Sequence, residues 1–196
     1  VPADLAAAKR RLRRLVSERR KAVAGEAAAG AAARIAAHLL EEPVLRGARR
    51  IALYAALPDE VPSRPLFEAF AALGKPLLFP RTTPGGGLEF AAVRDWSELV
   101  PGRYGVLEPP AQAPAQPLGE GDLVLVPGVA FDRAGRRLGR GRGFYDRAFP
   151  SRGVPFLMGV AYEIQLVDAV PHGAGDRAVQ AVVTERGVYR AGEAVR

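Results

Sequence analysis

Short apolar runs, separated by helical stretches and by Pro/Gly turns, constrain this chain more than any other feature. Arg49–Ala55, Lys75–Phe79, Leu88–Val93, Asp122–Val126, Val154–Val160 and Ala178–Thr184 each read as a strand. Their length and apolar content suit strands buried on both faces. Between them lie helical patterns. Residues 3–22 place Leu5, Ala8, Leu12, Leu15 and Val16 on one face, with Lys9, Arg13 and Arg20 off it. Residues 25–41 form an alanine-rich helix closed by Pro43. Ser63 is expected to cap a helix through Leu73, with Pro65 in its first turn and Gly74 at its end. Strands alternating with helices predict an α/β fold of three layers, a mostly parallel sheet flanked by helices. The length predicts one domain over 1–196, with the N-terminal helices 3–41 packed on it.

Turn signals divide the rest. Pro80 is expected to stop the second strand, and Pro84-Gly85-Gly86-Gly87 marks a turn. Pro101 to Gly121, rich in Pro and Gly, reads as a long surface connection. Tyr145 is expected to start a short helix.

Composition excludes several chemistries. There is no cysteine, so thiol catalysis, disulfides and thiolate metal sites are ruled out. His38 and His172 are far apart in sequence, which disfavours a metal site built on paired histidines. No apolar run approaches the ~20 residues of a membrane span, and no signal peptide is visible, so no membrane partner is expected and the cytoplasm is the expected compartment. The formal net charge of +7 favours polyanionic partners. A single-strand nucleic-acid binder would interleave aromatics with a continuous basic surface. Phe144-Tyr145 is one such pair and no second cluster appears, so nucleic acid is not the expected partner.

The segment Leu138-Gly139-Arg140-Gly141-Arg142-Gly143-Phe144-Tyr145-Asp146-Arg147 follows the Asp122–Val126 strand and a Pro127-Gly128 break. Glycines let backbone N–H groups approach phosphate oxygens, because no Cβ intervenes. Arginine adds forked, permanently charged donors matched to phosphate. An aspartate can hold a magnesium ion that the phosphates share. A flexible basic turn is the alternative reading of the same spacing. In parallel sheets ligands bind beyond the C-terminal ends of strands. Pro58-Asp59-Glu60, Pro80-Arg81 and the glycine loop all follow predicted strands.

An ordered series of motifs spans nearly the whole chain. It runs from Lys9-Arg10-Arg11-Leu12-Arg13 through Tyr54–Glu60, Phe79-Pro80-Arg81, Tyr104-Gly105-Val106-Leu107-Glu108-Pro109 and Leu125–Asp132 to Arg137–Asp146. In these motifs the chain resembles the 5-formyltetrahydrofolate cyclo-ligases, also called methenyltetrahydrofolate synthetases. The resemblance implies a NagB/RpiA/CoA-transferase-like fold. It also implies conversion of 5-formyltetrahydrofolate and ATP into 5,10-methenyltetrahydrofolate, ADP and phosphate. A non-catalytic relative on the same fold, or a basic nucleic-acid-binding module, is the alternative.

The resemblance assigns roles residue by residue. Lys9, Arg13, Arg137, Gly139, Arg140, Gly141, Arg142, Gly143 and Tyr145 would bind ATP. Asp146 and Asp176 would hold Mg2+. Ala55, Glu60, Tyr104 and Phe144 would line the folate pocket, and Glu60, Arg140 and Tyr145 would serve catalysis. The partners implied are ATP and 5-formyltetrahydrofolate, with or without a polyglutamate tail, acting on a monomer or weak homodimer. The chain departs from the family near its C-terminus. Gly175 precedes Asp176 where the family has histidine, and Gln180 stands where it has a second aspartate. The resemblance therefore leaves the geometry of the metal site open.

Overall fold

The computed structural model describes residues 3–149 and 154–193; the expected domain limits, 1 and 196, lie outside them. Two helices open the chain, α1 (Ala3–Arg20) and α2 (Gly25–Glu41), followed by a short α3 (Pro43–Gly47). Then come β1 (Ile51–Ala52), α4 (Arg64–Ala71), β2 (Leu77–Thr82) and β3 (Leu88–Ala92). A small ladder of β4 (Val100–Pro101) and β5 (Leu107–Glu108) leads to β6 (Leu123–Pro127). A hairpin of β7 (Ala130–Phe131) and β8 (Arg137–Leu138) precedes α5 (Phe144–Ala148). The chain closes with β9 (Phe156–Val160), β10 (Ala181–Thr184) and β11 (Gly187–Arg190).

The main sheet has seven strands in the order β11-β10-β9-β6-β1-β2-β3. Its interior pairings are parallel, and the edge strands β3 and β11 run antiparallel. Side chains alternate between the two faces of a strand. Ile51, Leu77, Phe79, Leu123, Leu125, Met158 and Val183 therefore pack against the helices on one face, where α2 contributes Ile35 and Leu39 and α4 contributes Leu66 and Phe70. Ala52, Leu78, Val124, Val126, Leu157 and Val182 face the other way, onto Phe131, Phe149 and the α5 residues Tyr145 and Ala148. This is the expected three-layer α/β arrangement. No helix among the described residues is long and apolar enough to cross a membrane.

Several local expectations are corrected. In α1, Leu15 is half exposed while Arg20 is fully buried. Only Leu12 and Val16 reach the cluster formed with Val129, Ala130, Leu138 and Val170. Arg20 can be buried because Asp59 takes its guanidinium and the Gly128 carbonyl accepts a second bond at 3.2 Å. Pro80 does not stop β2 but lies inside it, opposite Phe90 of β3. The neighbour on the other side, β1, pairs only as far as Leu78, so the missing N–H of Pro80 breaks no ladder bond there. Ser63 precedes α4 but makes no side-chain cap. Its hydroxyl instead accepts from the Ala56 N–H at 2.9 Å and ties down the loop after β1. The 101–121 connection is partly ordered: β5 pairs with β4, and the Gln116 N–H donates to the Phe90 carbonyl at 2.7 Å along the edge of β3. Such cover protects an edge strand from pairing with another chain.

Candidate active site

The strand order reverses between β1 and β6. From β1 the sheet continues to β2 and β3, and from β6 it continues the other way to β9 and β10. Loops leaving the C-terminal ends of strands diverge at such a point and leave a crevice. A cleft of about 450 Å³ lies there. Its walls come from the ends of β1 (Tyr54, Ala55, Glu60), β2 (Pro80, Thr82) and β6 (Pro127, Gly128), from the Arg137–Asp146 loop, and from α1. Ala6, Lys9, Arg10 and Arg13 enter from α1 at helical spacing, so one face of that helix forms a wall.

Each residue to which the resemblance assigned a role lines this cleft: Lys9, Arg13, Ala55, Glu60, Tyr104, Arg137, Gly139, Arg140, Gly141, Arg142, Gly143, Phe144, Tyr145, Asp146 and Asp176. Arg81 of the Pro80-Arg81 pair does not. It turns to β3, where its Nε donates to Glu89 at 2.8 Å. The glycine loop follows the β7–β8 hairpin rather than β6 directly. Gly143 at its end has φ +65°, a left-handed conformation that a side chain would strain, and a Cβ there would lie 2.6 Å from Arg147.

Carboxylates and cations pair off across the cleft. Glu60, 9 % exposed, accepts from Arg140 Nε at 3.1 Å and from the Leu57 N–H at 3.0 Å. Asp59 takes the other end of Arg140 and also Arg20, so it joins the buried arginine of α1 to the loop arginine. Burial opposes the charge of Asp59, but Arg20 and Arg140 outweigh it and hold the carboxyl below its ordinary range. Burial likewise works against the charge of Arg140, and Glu60 with Asp59 overcomes it, so this guanidinium stays charged.

The two carboxylates expected to hold metal already have cation partners. Asp146 accepts from Arg137 at 2.7 Å and from the Arg177 N–H at 3.2 Å. Asp176 takes Lys9 and accepts from the Gly173 N–H at 2.6 Å. Burial would raise the Asp176 pKa, but Lys9 and the Gly173 N–H lower it further. Gln180, the residue that departs from the family pattern, is away from the cleft. Its side-chain carbonyl accepts from the Leu157 N–H at 2.8 Å, a structural bond to β9. Arg13 donates to the Gly139 carbonyl at 2.8 Å and so fastens the glycine loop to α1.

Beside the glycine loop the cleft is aromatic. Tyr104 and Phe144 have ring centroids 5.9 Å apart, and the Arg142 guanidinium lies 3.7 Å over the Tyr104 ring. Tyr104 is held at φ 62°, unusual for a residue with a side chain. Tyr145 packs beneath Arg137, and burial, reinforced by the charge of Glu60, pushes its hydroxyl pKa up despite Arg137. It therefore stays a proton-bearing donor at neutral pH.

Sequence reasoning missed Arg20, Thr82 and Glu108 as contributors, and gave Asp59 no role of its own within the Pro58-Asp59-Glu60 group. Glu108 stands in a quoted motif, and Asp59 precedes Glu60, so adjacency to a motif was the available signal. Arg20 carried none, because an arginine on an amphipathic helix ordinarily faces solvent.

The comparisons with known proteins agree with one another. The model of the 5-formyltetrahydrofolate cyclo-ligase family matches residues 5–185. A 5-formyltetrahydrofolate cyclo-ligase of Escherichia coli is 31% identical over 182 residues, covering 89% of this chain and 99% of that protein. One from Mycolicibacterium smegmatis is 34% identical over 148 residues, covering 71% of this chain and 76% of its own. Among solved structures, the 5,10-methenyltetrahydrofolate synthetase of Aquifex aeolicus superposes with a TM-score of 0.82 at 31% identity, covering 96% of this chain and 95% of that one. A synthetase from Mycoplasma pneumoniae, at 20% identity and a TM-score of 0.70, covers 90% of this chain and 98% of its own and shares the fold. With a family model over most of its length and relatives above 30% identity, the chain belongs to the 5-formyltetrahydrofolate cyclo-ligase family.

Proposed function

We propose that this protein cyclises 5-formyltetrahydrofolate to 5,10-methenyltetrahydrofolate at the expense of ATP, releasing ADP and phosphate. One observation carries the reading. Residues as distant in sequence as Lys9, Glu60, Tyr104, Arg140 and Asp176 converge on one cleft at the reversal of the sheet.

The chemistry suits these residue types. A formamide carbon is a poor electrophile, and its oxygen a poor leaving group. Transfer of the γ-phosphoryl group to that oxygen breaks the bond to ADP and forms a phosphorylated formyl intermediate. N10 then attacks the activated carbon and the ring closes; the N10 proton is lost to the departing phosphate or to water, and the C–O bond breaks as phosphate leaves, giving the methenyl cation. Phosphoryl transfer needs positioning and charge neutralisation rather than a protein nucleophile. Lys9, Arg13, Arg137, Arg140 and the backbone of Gly139–Gly143 would surround the phosphates. Glu60 would face the formyl end of the folate and steady positive charge developing at N5. Tyr145, kept protonated, would donate to an oxygen on the transferring group. Ala55, Tyr104 and Phe144 would wall the pterin.

Magnesium fits on donor chemistry. Among the described residues no three Asp, Glu, His or Cys side chains gather into a cage. Magnesium in nucleotide sites is held by one or two carboxylates together with phosphate oxygens and water. Asp146 and Asp176 supply that number on the cleft wall. Bound there with the nucleotide, the ion would offset phosphate charge. Arg137 and Lys9, now neutralising those carboxylates, would turn to the phosphates instead.

The test is the appearance of methenyltetrahydrofolate absorbance from 5-formyltetrahydrofolate, with ATP and magnesium present or omitted. Product should form only when both are present. Unchanged folate under saturating ATP and magnesium would sink the reading.

A further inference from the structure

Glu108 is a carboxylate with no cation beside it among the described residues. It is 7 % exposed, lines the cleft, and among the described residues forms no ion pair within 4.0 Å. Among the described residues its side chain takes one hydrogen bond, from the Thr82 hydroxyl, which donates to Oε1 at 2.6 Å. The other cleft carboxylates, Glu60, Asp146 and Asp176, each have a basic partner. A buried charge is ordinarily paired, because removing it from water is costly. A carboxylate also offers about four acceptor sites, and the second oxygen, Oε2, takes no hydrogen bond from the described residues. This group is built to accept from something outside the protein.

Its surroundings narrow the ligand. Glu108 ends β5, the strand after the Tyr104 turn, and its side chain lies against Gly102 of that turn, while Thr82 ends β2; both line the cleft with Tyr104. A carboxylate repels phosphate, which places the nucleotide's charged part at the glycine loop. A planar ring against Tyr104 and Phe144 would bring its edge toward Glu108. Two adjacent N–H donors on that edge match a carboxylate as the two arms of a guanidinium do. The 2-amino group and N3–H of a pterin form such a donor–donor edge. Adenine offers a donor beside an acceptor, which a carboxylate reads badly. We propose that Glu108, oriented by Thr82, recognises the 2-amino and N3–H edge of the folate pterin and so selects the substrate. This rests on the folate reading above.

The test uses the full chain and three ligands in calorimetric titrations: 5-formyltetrahydrofolate, pterin, and lumazine, which carries a 2-oxo group in place of the 2-amino group. The wild type should bind pterin about tenfold or more tighter than lumazine, the scale of a charge-assisted hydrogen bond. Glu108→Gln should abolish that preference and weaken 5-formyltetrahydrofolate roughly ten- to a hundredfold. ATP affinity should stay within about twofold. KM for the folate should rise far more than kcat falls, because the edge does not react. Thr82→Val should act in the same direction and more weakly. Equal binding of pterin and lumazine by the wild type, a comparison that needs no variant, would overturn the proposal. So would a Glu108→Gln protein that keeps its folate affinity or loses ATP affinity instead. Wild-type turnover in the same preparation separates the two failures. If folate is converted normally and Glu108→Gln behaves as wild type, only the role of Glu108 falls. If the wild type neither binds nor converts folate, the functional reading falls with it.

Discussion

At the scale of single residues, the candidate site is a set of ion pairs that ligands would have to exchange. Glu60 holds Arg140, and Asp146 holds Arg137. Glu60→Gln removes the charge and keeps one of the two acceptor oxygens, so it can still accept from Arg140 or from the Leu57 N–H but not from both. If that charge steadies the developing cation at N5, kcat should fall roughly a hundredfold with folate KM within a few-fold. Steady-state kinetics showing a raised KM and an unchanged kcat would make Glu60 a binding group only. Asp146→Asn should shift the magnesium dependence of the rate to higher concentration and lower the maximal rate. A magnesium titration that overlays the wild type would remove Asp146 from the metal site.

At the scale of elements, the junction between β1 and β6 is the point the cleft depends on. Arg50, just before β1, donates to Asp122, just before β6, through Nε at 3.0 Å and a second arm at 2.5 Å. The Gly119 N–H adds a third bond at 2.9 Å. Burial raises the Asp122 pKa, but Arg50 and the Gly119 N–H outweigh it and leave it lowered. A carboxyl lowered in the folded state stabilises the protein above its unfolded pKa, about 3.9, and that stability is lost as pH falls through the folded value. Asp59 and Asp176 are lowered as well, so stability should decline below about pH 4. Asp122→Asn should cost about 1.5–3 kcal/mol near pH 7 and flatten that acid decline. Urea unfolding of both proteins at pH 3 and pH 7 reads the difference, and parallel declines would show that Asp122 is not the group titrating. In β9, a Cβ on Gly159 would lie 2.5 Å from the Phe131 ring. Gly159→Ala should therefore destabilise by about 1–3 kcal/mol through overpacking. An unchanged urea midpoint would show that Phe131 can move aside.

At the scale of the whole molecule, the cleft joins α1 near the N-terminus to the turn around Asp176 through Lys9. A ligand held across it should stabilise the fold as a unit. With a non-hydrolysable ATP analogue at a hundred times its Kd, linkage adds about 2.7 kcal/mol. At roughly 2–4 °C per kcal/mol for a chain of this size, Tm should rise by roughly 5–10 °C. The rise should shrink without magnesium, because Asp146 and Asp176 would then keep Lys9 and Arg137 from the phosphates. A thermal shift indifferent to magnesium would contradict that exchange of partners.

The alternation of apolar runs with helices determined the layered α/β architecture, because burial on both faces writes itself into each strand locally. The glycine–arginine loop was also legible, since its glycines and charges are contiguous. What lay beyond sequence was set by pairing at long range. Pro80 could stay in β2 only because β1 ends early beside it. Arg20 could enter the interior only because Asp59 waits there, while Leu15 turned outward on the same helix. The partners of Asp146 and Asp176, and the placement of Glu108 away from any cation of the described residues, follow from which loop ends the sheet reversal brings together. Periodicity along a chain specifies which face is buried; it does not specify what the opposite side of a cleft will offer, and the tertiary structure alone decided that.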